Sequence, residues 1–171
     1  MKKYLFLLII ALFAMGVHAQ DTMLTKEETI NYLNKKLQEV DGRITIEPTK
    51  THQFSYLSIR ARGSDLELKH IDTRVGGQAC SVVQVFNPRD IFRLSVSELA
   101  TKESPVRLLK IEFAKKLASS EIRCAGEHVL KDVDRVHMPF FDTLTGNRQR
   151  FEKALMHLRD LARAEDDPFG N

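Results

Sequence analysis

Tryptophan is absent from this chain of 171 residues, cysteine occurs only twice, and the eight glycines and five prolines never gather into a linker, repeat or low-complexity tract. What remains is the composition of an ordinary globular domain. An excess of one charge is lacking as well. The 26 Lys and Arg nearly balance the 23 Asp and Glu, whereas a nucleic-acid binder gathers basic charge on one face, so no nucleic-acid partner is expected.

Reactive constellations are also missing. No Gly-x-Ser-x-Gly turn holds a nucleophile against a base, and the nearest approach, Gly63-Ser64-Asp65, is accounted for by a hairpin turn. The calcium-loop pattern and the glycine-rich phosphate loops do not occur. His52, His70, His128, His137 and His157 never pair at the spacing that puts two imidazoles on one helix face. Asp132 with Asp134, in an expected loop, and Asp166 with Asp167, in the tail, read as solvated charge. The sequence thus nominates no catalytic residue, no metal ligand and no cofactor.

Long apolar runs are lacking everywhere except at the start. Lys2 and Lys3 precede an unbroken apolar run from Tyr4 to Val17, and Val17-His18-Ala19 supplies the small residues a signal peptidase accepts. Residues 1–19 therefore read as a signal peptide cleaved before Gln20. The run is too short for a span of about twenty residues, and no later window is as apolar, so no integral membrane segment is expected after cleavage. A lipoprotein would place a Cys where Gln20 stands. The expectation is an exported protein, periplasmic or extracellular. Losing Lys2 and Lys3 leaves 24 basic against 23 acidic residues, near neutrality. The remaining chain, residues 20–171, suits one domain, with a short polar leader at 20–24 and an acidic tail at 165–171.

Export gives the two cysteines a role. Thiols oxidise outside the cytoplasm, so Cys80 and Cys124 are expected to form one disulfide, a bridge that stabilises by roughly 4 kcal/mol on the chain-entropy model. Their separation rules out a Cys-x-x-Cys redox motif.

Periodicity then sets the architecture. Thr25-Lys26-Glu27-Glu28 is a capping box opening a helix to about Val40, with Ile30, Leu33, Leu37 and Val40 as its apolar stripe and Asp41-Gly42 as its stop. From Arg43 to Phe141 the period falls to two. Strands are expected at Ile44–Ile46, Phe54–Ala61, Leu66–Lys69, Cys80–Phe86 and Ile91–Val96, in a run opened by Pro105 where Leu109, Ile111 and Phe113 alternate with Lys110, Glu112 and Ala114, weakly around Cys124, and at Arg135–Phe141, with turns at Arg62-Gly63-Ser64-Asp65 and Asn87-Pro88-Arg89-Asp90. A second amphipathic helix follows over about 147–164, with Phe151, Ala154, Leu155, Leu158, Leu161 and Ala162 on one face. The fold class is α+β, mainly β: an antiparallel barrel or strongly bent sheet of seven to eight strands, preceded by one helix and closed by a C-terminal amphipathic helix.

The opening Leu24-Thr25-Lys26-Glu27-Glu28-Thr29-Ile30-Asn31-Tyr32-Leu33-Asn34 and the closing Phe151-Glu152-Lys153-Ala154-Leu155-Met156-His157-Leu158, with Asp167-Pro168-Phe169 behind it, resemble small exported proteins of the Bacteroidota whose function is not known. The layout of many strands closed by a helix also resembles a pleckstrin-homology-like barrel. That likeness implies a fold and no activity. Phosphoinositide-binding members carry a basic pattern on their first strands, which Lys50 followed by Arg60-x-Arg62 resembles. The two arginines share a strand face, where they could grip a phosphate or carboxylate or simply face solvent. Asp21-Thr22-Met23 and Asp142-Thr143-Leu144 resemble the O-glycosylation acceptor of exported Bacteroidota proteins, which implies Thr22 and, secondarily, Thr143 as modification sites. Three functions follow in order: a non-enzymatic binding or scaffold module of the cell envelope, whose partner is an envelope protein or a small ligand; a carrier holding an apolar ligand inside a barrel; and an enzyme with a site assembled from scattered residues.

Overall fold

A computed structural model describes residues 24–47, 51–74, 77–98, 101, 104–142 and 146–166. Helix α1 (Lys26–Gln38) starts at the expected capping box: Thr25 accepts from the Glu28 N–H and the Glu28 carboxylate accepts from the Thr25 N–H. Gly42, at φ +73°, turns the chain out of it. Nine strands follow: β1 (Ile44–Ile46), β2 (Thr51–Arg62), β3 (Asp65–Arg74), β4 (Ala79–Phe86), β5 (Ile91–Val96), β6 (Val106–Phe113), β7 (Ala118–Cys124), β8 (Glu127–Val133) and β9 (Arg135–Phe141). Helix α2 (Asn147–Asp166) ends the described chain. No helix among the described residues is long and apolar enough to cross a membrane.

The strands form two antiparallel sheets, β1-β2-β3-β4-β7-β8 and β5-β6-β9. The chain crosses from one sheet to the other three times: between β4 and β5 through a 3-10 turn at Pro88–Asp90, between β6 and β7 through residues 114–117, and between β8 and β9 at Asp134 alone. β4 pairs with β7 in the large sheet while β5 pairs with β6 in the small one, so consecutive strands part into different sheets.

The barrel alternative is not realised as a closed ladder. Where β1 approaches the start of β6, side chains stand in for ladder bonds: the Thr45 hydroxyl donates to the Val106 carbonyl, and the Ile46 N–H donates to the Ser104 hydroxyl. The expected count of seven to eight strands becomes nine among the described residues. The weak segment around Cys124 is a hairpin, β7 and β8, turning at Ala125-Gly126, with Gly126 at φ +85°. Asp132, expected in a loop, lies in β8.

One core joins both helices and both sheets. Ile30, Leu33 and Leu37 of α1 and Phe151, Leu155 and Leu158 of α2 are buried against Ile59, Leu66, Phe86, Leu109, Ile111, Met138 and Phe140. The Asn34 side chain clips α1 to β2, donating to the Ile59 carbonyl and accepting its N–H. Leu33, Leu37 and Leu155 are wholly buried; truncating such a side chain to Ala costs about 2–5 kcal/mol.

Candidate functional site

Two grooves flank this core. The first runs between the helices, a hollow of about 380 Å³ lined by Leu24, Thr29, Tyr32, Arg150, Lys153, Ala154 and His157. Helical spacing builds it: positions 150, 153, 154 and 157 fall on one stripe of α2, and 29 and 32 on one stripe of α1. Thr29 donates its hydroxyl to the Thr25 carbonyl, leaving its methyl as the surface it can offer. His157 Nε2 bonds the Leu24 carbonyl; since a carbonyl only accepts, Nε2 carries the proton. The Tyr32 hydroxyl is buried with no hydrogen-bond partner among the described residues. Arg150 and Lys153 make no side-chain ion pair among the described residues, so two cations face an apolar floor.

The second groove, about 280 Å³, lies on the large sheet, and His52, Asp72, Arg74, Cys80, Cys124 and Glu127 line it. Register explains the grouping. Phe54 opposes Asp72, Asp72 opposes Cys80, and Cys124 opposes Glu127, so these side chains share a face. Cys80 and Cys124 are joined as expected, across adjacent strands with Cα atoms 4.3 Å apart, the spacing of directly opposed residues. His52 Nδ1 meets Asp72 Oδ1 at 2.7 Å, and its Nε2 lies 3.9 Å from the Glu47 carboxylate. Next along β3, His70 stacks edge-on against Phe54. Burial pushes the His70 pKa down to about 4, with Asp72 pulling the other way.

On the opposite face of this sheet, Arg60 and Arg62 share a strand face, as the spacing requires. There they converge on the carboxylate of Glu67, Arg60 at 2.7 Å and Arg62 at 3.9 Å. Glu67 is the direct cross-strand neighbour of Arg60, so an acid already sits between the arginines. Lys50, Thr22, Thr143 and the segment 1–19 lie outside the described residues. No cluster of three or more His, Cys, Asp or Glu among the described residues is placed to hold a metal. A third hollow, on the small sheet, gathers Arg93, Lys110, Arg135 and His137. Its cations are already tied to Glu112 and Asp134, and burial followed by the charges of Arg135 and Lys110 lowers the His137 pKa.

The helical stripes made half of the interhelical groove readable from the sequence, whereas the pairing of α1 with α2 was not. The His52–Asp72 contact depends on strand register and had no sequence signal. No family model, curated protein or solved structure matches this chain.

Proposed function

We propose that this chain is a non-enzymatic binding module of the cell envelope that takes an anionic amphiphile in the groove between α1 and α2. The observation that carries this reading is the pairing of an apolar floor with two cations, Arg150 and Lys153, that stand on one stripe of α2 and form no ion pair among the described residues. An acyl-type chain would displace water from the floor, and a carboxylate, sulfate or phosphate head would meet the cations. The reading changes the place of the apolar-carrier alternative. Phe86, Ile111, Met138, Phe140 and Phe151 are fully buried core side chains, which favours the interhelical groove over the interior as the place for an apolar ligand. Export of the chain, inferred from residues 1–19, fits a cross-strand disulfide, which persists in oxidising compartments.

Titration calorimetry with n-alkyl sulfates and n-alkyl trimethylammonium ions of equal chain length tests it. Binding should favour the sulfates, strengthen with chain length, and fall when Arg150→Glu and Lys153→Glu are combined. Equal binding of both head groups, or an unchanged affinity in the double variant, refutes the assignment.

A further inference from the structure

Strand β8 differs from every other edge of the sheets. The outer edge of β1 is occupied by Ser104 and by the Thr101 N–H, which donates to the Ile46 carbonyl. β5 packs against α2, and β9 against both helices. β8 instead has β7 as its ladder neighbour and is exposed on both faces from Glu127 to Asp132, with Val129 at 44% and Leu130 at 68%. It contains no Pro or Gly, and its register against β7 runs unbroken from Cys124↔Glu127 to Ala118↔Val133. Natural edges are normally blunted by bulges, prolines, charged side chains or cover, because a regular open edge is a template for another strand; of these β8 carries only charges, and they are of both signs. The disulfide ties β7 to β4 two strands inside this edge, which reduces the ordering a partner would have to impose.

The charges on β8 select the partner. Glu127 and Lys131 form no ion pair among the described residues, whereas His128 is already held by Glu121 at 2.8 Å. For two antiparallel copies of β8, a two-fold axis through Val129 sets Glu127 opposite Lys131 of the second copy, twice over, with Val129 against Val129 between them. Other axes do worse. An axis through Lys131 opposes two ammonium groups, and one through Leu130 leaves Glu127 and Lys131 facing valines. Opposite charges directly across a strand pair stabilise and like charges destabilise.

We propose that β8 is a self-association edge, on which a second copy of this chain pairs antiparallel about Val129 and continues the large sheet across a two-fold axis. The contact would be isologous. It extends the in-register row His70, Val82, Ile122, Val129 with the second copy's own Val129.

Sedimentation velocity on the chain lacking residues 1–19, over a wide concentration range, provides the test. The expected result is a reversible dimer. Glu127→Lys alone opposes two lysines at both symmetric positions, and Lys131→Glu alone opposes two glutamates, so each should weaken the dimer by about tenfold or more. The double variant E127K/K131E should restore it, and an equimolar mixture of the two single variants should form hybrid pairs. Both positions are exposed, so circular dichroism and melting curves of the monomers should be unchanged. A wild-type protein that stays monomeric throughout overturns the proposal, even if it captures an extended peptide of another protein along β8. So does a dimer indifferent to the single reversals, or a double variant that stays monomeric.

Discussion

Lowering the pH from 7.5 to 5 should destabilise the protein through one buried imidazole. His70 is 6% exposed, with Nδ1 lacking a hydrogen-bond partner, and its folded pKa of about 4 lies below the ordinary 6.5. Below the unfolded value the unfolded chain takes up a proton that the folded chain refuses. Stability therefore falls as pH drops from 6.5 and levels off once the folded pKa is passed. The full gap of about two and a half units corresponds to about 3 kcal/mol, of which about 2 is lost by pH 5. Urea unfolding at the two pH values, followed by circular dichroism with the slope checked for constancy, measures the loss. Other groups titrate in this range, so the decisive comparison is with His70→Met. That variant removes the unpartnered nitrogen, should be at least as stable at pH 7.5, and should lose about 2 kcal/mol less on acidification. Parallel losses in the two proteins would refute the reasoning, as would an NMR titration of the His70 ring with a midpoint near the ordinary value.

Two further outcomes concern the backbone and the bridge. Reduction of Cys80–Cys124, which closes a separation of 44 residues, should cost about 4 kcal/mol on the chain-entropy model and lower the melting temperature; identical melts with and without reductant would contradict it. Tyr56 occupies a left-handed conformation at φ +55° in the β2 bulge, its N–H held by Asp41 Oδ1 at 2.7 Å. Tyr56→Val should therefore cost about 1–2 kcal/mol and Tyr56→Asn almost nothing, and equal effects of the two in denaturant titrations would show that the ring, not the backbone, matters there.

Features that rest on local chemistry were legible in the sequence. The capping box at Thr25 and Glu28, the hairpin at Gly63-Ser64 and the stripe from Phe151 to Ala162 each involve neighbours within about one or two turns, where residue type dictates conformation. β8 escaped because alternation is a signature of one buried face. Glu127 to Asp132 has both faces exposed, so there is no buried set for a period of two to reveal. The His52–Asp72 pair escaped for another reason. Its partners lie 20 residues apart and meet diagonally across β2 and β3, beyond a bulge between Ser55 and Ser58 that resets the register. Arg60 and Arg62 were correctly placed on one face, but the acid between them comes from the far side of the Gly63-Ser64 turn, where pairing, not spacing, decides the neighbour.

The position of the disulfide follows from how burial fades along the large sheet. On one face of β3 the residues are Leu66, Leu68, His70 and Asp72, a passage from fully buried apolar side chains to a charged one. Their cross-strand partners on β4 are Phe86, Gln84, Val82 and Cys80. At the Leu66–Phe86 end, burial of large side chains holds the strands, each contributing about 1.5–3 kcal/mol. At the Asp72–Cys80 end the side chains are polar, and His52, Arg74 and Glu127 surround a groove lined by no helix residue among those described. A covalent bridge of about 4 kcal/mol there supplies what one or two buried side chains would otherwise provide. It does so without closing the groove or covering β8, so the polar end of the sheet stays ordered while its edge remains open to a second strand.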